Sequence, residues 1–453
     1  MSVLDFPEEL YDFIFDEVCS NPKDYLQYRM VCKTWLFYTT LKAFRITIIN
    51  NDVADAFASI SINPSSILSD CVHHLILDVD DVWLRRLLPC LQPFRRVEAL
   101  ELRSLSWPSV PLPIRLRLTS IFRHCLRRLV LGAGLSLGSF EEAQDLMYDF
   151  PALEELSIDG IIWNPYTTSP GAQLPEDFIA PRGLSANTES RAFPEGVRAV
   201  HIGQPVIKPF FSWIMSQKIL PQVHLYSIAN ATLQDFVHLH SFFSLAQIHT
   251  RIISIAFHST TSAQAVCPFT DAELHSMACA DGERFLYLPS PLTMLERCPP
   301  PNPFLLEKPA EPLRSLQTFR IDNFIRYEDH ARTSALFFAP NVLSWLYQKS
   351  KTTELRKIIL CVHLRRVGEV DLHNIHWCMI DRLLIDLVET APTQEQLFEG
   401  GKQQAHGSGM IAFEITGGVD FEALGELIRT RLPKCARAGS LTFSKYDSSW
   451  NWQ

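Results

Sequence analysis

A six-residue pattern recurs along the chain: an apolar residue, two free positions, an apolar residue, one free position, an apolar residue. Its clearest copies are Val72/Leu75/Leu77, Val97/Leu100/Leu102, Leu126/Leu129/Leu131, Leu153/Leu156/Ile158 and Val197/Val200/Ile202. Weaker copies follow as Leu220/Val223/Leu225, Ile252/Ile255/Phe257, Leu316/Phe319/Ile321, Leu355/Ile358/Leu360 and Met410/Phe413/Ile415. Leu41/Phe44/Ile46 and Ala438/Leu441/Phe443 fit the same template at the two ends. The last two apolar positions are two apart, the period of a strand with one buried face. The first four copies start at 72, 97, 126 and 153, so they are 25, 29 and 27 residues apart, and each unit has room for a helix. The intervening text agrees. Asp80–Leu91 carries Val82, Leu84, Leu87, Leu88 and Leu91, and Ser139–Phe150 carries Phe140, Ala143, Leu146, Met147 and Phe150. Both have the helical period, and Pro151 closes the second.

Three segments interrupt the pattern. Residues 163–196 are rich in Pro, Gly, Ser and Thr; 289–312 are proline-heavy; 399–409 are rich in Gly, Gln and Ser. All three read as loops between units.

If the apolar positions point inward, the positions between them point outward along one face of a sheet. These are His74, Asp78, Glu101, Arg103, Arg128, Glu155, Asp159, His201, His224, Tyr226, His258, Arg320 and Asp322, with Lys357 and Glu414. Mixed charge with histidines and a tyrosine suits a protein or peptide partner better than a phosphate backbone, so this set is the expected target-holding surface.

The first fifty residues differ. A helix is expected from Pro7 to about Cys19, with Pro7 in its first turn and Glu8 and Glu9 beside its positive end. It bears two apolar stripes, Leu10/Phe13/Ile14/Val18 and Tyr11/Phe15/Cys19, where one would suffice for a core. Asn21-Pro22 breaks it. A second short helix holds Tyr25, Leu26 and Tyr28, and a third carries Val31, Cys32, Trp35, Leu36 and Leu41. A unit of roughly forty residues usually needs a disulfide, a metal or a partner to stay folded.

The run Phe6-Pro7-Glu8-Glu9-Leu10, with Ile14, Val18, Leu26, Val31-Cys32-Lys33, Trp35 and Leu41-Lys42-Ala43-Phe44-Arg45-Ile46, resembles the F-box. Phe6 stands where that family usually has Leu. The later pattern resembles divergent leucine-rich repeats without their regular Asn. Together the resemblances imply an α/β chain: an all-helical F-box over 1–48, then over 49–453 a leucine-rich-repeat solenoid, a horseshoe of parallel strands with outer helices. They imply a Skp-type adaptor, and through it a cullin, bound by Pro7, Leu10, Ile14, Val18, Leu26, Val31, Cys32 and Trp35. They also imply a target protein on the concave face, a substrate-recruiting rather than a catalytic role, and no cofactor. An interaction scaffold outside ubiquitination is the alternative.

Composition narrows the field. Hydrophobic residues make up 47% and charged residues 20%, enough for a packed core. A net charge of −9 argues against non-specific nucleic-acid binding. Residues 1–19 carry six acids and no base, unlike a secretory signal, and no apolar run is clean enough for a membrane span. Eleven cysteines without framework spacing read as reduced thiols in the cytoplasm or nucleus.

Gly134-Leu135-Ser136-Leu137-Gly138 matches a nucleophile-elbow pattern, but it falls where a repeat loop is expected and lacks an obvious acid and histidine. Gly132-x-Gly134-x-x-x-Gly138 places its third glycine one residue late for a dinucleotide cradle. His373, His376 and Cys378 lack a fourth ligand at zinc spacing, so no metal is expected.

Overall fold

The computed structural model describes residues 33–63, 66–163, 192–217, 219, 221–231, 235, 239, 242, 250–257, 315–326, 339, 342–343, 346–347, 355–364, 377–390 and 410–445. The chain divides into two units, Met1–Asn187 and Thr188–Gln453. The division falls inside the expected interruption at 163–196, of which 164–191 lie outside the described residues, as do 289–312 and 399–409.

The first unit holds β1 (Ile46–Asn50), β2 (His74–Asp78), β3 (Ala99–Arg103), β4 (Arg128–Leu131), β5 (Ser136–Leu137), β6 (Glu155–Ile158) and β7 (Ile162–Trp163). Strands β1, β2, β3, β4 and β6 pair in parallel in that order, and the short β5 and β7 pair beside them. The second unit holds β8 (Ala199–Ile202), β9 (Leu225–Ala231), β10 (Ile252–Phe257), β11 (Thr318–Arg326), β12 (Lys357–His363), β13 (Ile411–Thr416) and β14 (Leu441–Lys445). These also pair in parallel in chain order. The chain is therefore mixed α/β, with 12 main strands among the described residues of the two units.

The repeat pattern supplies the core. From Val72 to Ile158 the twelve patterned residues of the first four clear copies are at most 1% exposed. Their strands pair so that equivalent positions face each other, as Leu75↔Leu100, Leu100↔Leu129 and Leu129↔Leu156 do. The helix Asp81–Leu91 buries Leu84, Leu87, Leu88 and Leu91 against them, while Val82 of the expected stripe faces solvent. Asp80 caps that helix by accepting from the Trp83 N–H at 2.9 Å.

One backbone device repeats at the strand entries from β1 to β6 and again from β8 to β12. The carbonyl just before a strand accepts two successive N–H groups from the next unit. Arg45 O receives His73 and His74, His73 O receives Glu98 and Ala99, and Glu98 O receives Arg127 and Arg128. Beyond the strands, Ser104, Gly134 and Gly160 repeat a left-handed turn with φ of 51°, 81° and 67°. Gly134 is required there, because a Cβ would also stand 3.3 Å from the Ser104 Cα.

Three copies of the pattern sit in a different register from the one the sequence suggests. At the first strand the core-equivalent positions are Thr47 and Ile49, since Thr47 faces Leu75 and Ile49 faces Leu77; Ile46 is 56% exposed. In the second unit the buried triplets are Val223/Tyr226/Ile228 and Thr250/Ile253/Ile255. Tyr226 and Thr250 occupy core positions that an aliphatic search skips. Thr250 is accommodated because its hydroxyl donates to Val223 O at 3.1 Å.

Candidate functional site

The outward faces of the parallel strands carry the polar residues named above. In the first unit, Glu101 is the hub. Arg103 Nε donates to Glu101 Oε1 at 2.5 Å, and His74 Nε2 lies 3.7 Å from Glu101 Oε2. His74 and Glu101 are brought together because β2 and β3 are neighbours in the sheet. Gly132, directly after β4, leaves room for this cluster: a Cβ there would come within 3.2 Å of Glu101 Oε1. The next pair along the face, Arg128 and Glu155, are directly opposed on β4 and β6 and meet at 3.1 Å. Asp78 faces Arg103 in the register, and Asp159 follows the end of β6.

Burial by itself pushes the Glu101 carboxyl upward, but the hydrogen bonds and charges of His74 and Arg103 outweigh it and hold the group below its usual range. A depressed carboxylate stabilises the fold above its unfolded pKa of roughly 4.3, and that contribution is lost as pH falls through the folded value. Glu101→Gln should therefore flatten the acid limb of the stability curve. Denaturation midpoints measured from neutral to strongly acidic pH check this, and parallel limbs in the two proteins would contradict it.

In the second unit a tighter cluster forms. Arg320 Nη1 donates to Glu414 Oε2 at 2.6 Å, and Arg320 Nε donates to Asp322 Oδ1. Ser254 Oγ donates to the other Asp322 oxygen. Cys361 Sγ lies 3.8 Å from Asp322 and 3.9 Å from Glu414. His363 closes the group: its Nε2 contacts the Asp322 carbonyl at 2.7 Å, and its Nδ1 meets Thr416 Oγ1. A carbonyl only accepts, so Nε2 carries a proton. Burial opposes the Arg320 charge, yet Asp322, Cys361 and Glu414 raise its pKa further. Burial foremost, with the two carboxylates, also drives the Cys361 thiol upward against the pull of Arg320. That thiol is protonated at neutral pH and is no nucleophile.

No family model and no curated protein matches this chain. Its function is therefore read from the residues themselves.

Of the outward positions expected from sequence, His74, Asp78, Glu101, Arg103, Arg128, Glu155, Asp159, His201, Arg320 and Asp322 occupy half-buried places on these faces or at the strand ends. Tyr226 does not. It is 1% exposed, packed between Phe211 and Phe242 at ring distances of 6.0 and 5.6 Å, and burial raises its pKa. The shifted register moves His224 as well, from the face to the strand-entry row. His258 lies outside the described residues, as do Pro7, Leu10, Ile14, Val18, Leu26, Val31 and Cys32. Trp35 falls in the helix Lys33–Phe44, its side chain outside the description. Ser254, Cys361, His363 and Thr416 were not expected at a site. Ser254 and Cys361 look like strand filler in sequence, and only the pairing of β10, β11, β12 and β13 gathers them.

Ser136 stands on the two-residue strand β5, where its N–H donates to Leu105 O at 2.8 Å, rather than at a strand-to-helix elbow. Among the described residues no three His, Cys, Asp or Glu side chains gather to hold a metal, and no helix is long and apolar enough to cross a membrane.

Proposed function

We propose that the chain is a substrate-recruiting subunit of an SCF-type ubiquitin ligase. Its N-terminal F-box binds a Skp-type adaptor and through it a cullin, and a divergent leucine-rich-repeat solenoid holds a target protein. The observation that carries the reading is the run of parallel strands in chain order, stepping at 25 to 29 residues through the first unit, joined directly to the helix Lys33–Phe44. Support for the target surface comes from the mixed-charge outward faces, where neighbouring strands hold their ion pairs in fixed positions. Such a surface selects partners by charge pattern more than by area. The subunit performs no chemistry and needs no cofactor. It raises the concentration of target lysines near the ubiquitin carrier. The adaptor system places this work in the cytoplasm or nucleus.

A triple variant, His74→Ala/Arg128→Ala/Glu155→Ala, tests the target surface. It should still assemble with adaptor and cullin while the proteins degraded on expression of the normal chain regain their lifetimes. Unchanged degradation would move target binding elsewhere. If no protein's lifetime depends on the normal chain, a scaffold outside ubiquitination describes it better.

A further inference from the structure

The row of residues at the strand entries carries opposite charge patterns in the two units. In the first unit the row reads Arg45, His73, Glu98, Arg127, Glu154, each linked to the next by the shared carbonyl. From His73 on, basic and acidic residues alternate, and Arg127 pairs with Glu154 at 3.2 Å. In the second unit the same backbone linkage joins Arg198, His224, Arg251, Gln317 and Arg356, with Lys357 following. This row contains no carboxylate. Arg198, Arg251, Arg356 and Lys357 are all exposed. Among the described residues their cationic groups make no ion pair, and Arg198 reaches the Gln222 carbonyl at 3.5 Å. Among the described residues Glu195, three before Arg198, is the acid nearest in sequence, and Glu354 lies outside them.

We propose that this row is a docking edge for an acidic protein segment lying across the strand entries. Adjacent strands stand about 4.8 Å apart, so Arg198, Arg251 and Arg356, each two strands from the next, repeat at about 10 Å. An extended peptide advances about 3.3 Å per residue, so carboxylates at every third residue match that spacing. Nucleic acid fits less well. The chain carries a net charge of −9, which repels a long polyanion, and Ile219 is the one exposed large apolar side chain among the described residues of this unit, leaving no aromatic platform for bases. The inference does not depend on the adaptor reading.

The test is fluorescence anisotropy on the full chain with three probes: a short peptide with glutamate at every third position, its glutamine counterpart, and an oligouridine. The glutamate peptide should bind, the glutamine peptide should not, and added salt should weaken the complex. Arg198→Glu/Arg251→Glu/Arg356→Glu should weaken binding by at least about tenfold while the melting temperature holds, because all three side chains are exposed. If the charge reversal upsets folding, the corresponding triple Gln variant replaces it. Binding unchanged by the variant, no binding of the glutamate peptide, or tighter binding of oligouridine would each overturn the proposal.

Discussion

Arg320→Met should cost about 3–5 kcal/mol of stability, because removing one partner of a largely buried charge network leaves the others uncompensated. Among the described residues Arg320 is the cation that pairs with both Asp322 and Glu414, and the Cys361 thiol beside them offers no positive charge. The triple variant Arg320→Met/Asp322→Asn/Glu414→Gln should recover most of that loss, since neutral replacement of a whole network is often tolerated. Urea denaturation of the single and triple variants separates the two effects. Equal losses in both would mean that packing of the Arg320 stem, not charge, holds the cluster.

Asp381→Ala should be the second large loss, about 2–4 kcal/mol, by orphaning the buried Cys435 N–H and the part-buried Lys434 N–H while emptying a buried site. Asp381 is 2% exposed on the helix Trp377–Thr390. It accepts from the backbone N–H groups of Lys434 and Cys435, both at 3.0 Å. The short helix Pro433–Arg437 has Leu432 at its N-cap and no side-chain cap of its own, so Asp381 of the helix Trp377–Thr390 supplies one. Cys435 in turn receives the Ser440 hydroxyl on its carbonyl at 3.0 Å, just ahead of β14. Asp381→Asn keeps one acceptor and should lose less. Hydrogen exchange at Lys434 and Cys435 reads the effect locally. Unchanged protection there in Asp381→Ala would show that the cap is dispensable.

How far the sequence could be read depended on what filled each core position. From Val72 to Ile158 aliphatic residues fill all of them, so strand positions, helix positions and outward faces follow directly. Cross-strand pairs such as Arg128–Glu155 are then implied, because equivalent positions of successive units are neighbours. In the second unit Tyr226 and Thr250 stand where Leu or Val would be diagnostic, and a three-residue slip turned Tyr226 and His224 outward on paper. At the first strand Thr47 had the same effect. The Arg320 cluster was half legible. Alternation along β11 named Arg320 and Asp322, but Ser254 is 68 residues from Asp322 and Cys361 is 39 away, and only a fixed register brings them together. Asp381 was invisible for a different reason. An acid within an apolar helical run gives no local sign that it caps another helix 53 residues later.

The strand-entry row was legible in principle. Once the register is set, the residue ahead of each strand can be read off the chain, and the contrast between Arg127/Glu154 and Arg198/Arg251/Arg356 is a sequence fact. A residue at a strand entry lies outside the alternation of the faces, so the row shows only after the register is fixed.

The central claim is the adaptor hook, and co-expression of the full chain with a Skp-type adaptor followed by size-exclusion chromatography tests it most directly. The account predicts one co-eluting complex, lost in Leu10→Ala/Trp35→Ala while both proteins remain folded. Separate elution of the two folded proteins would contradict it.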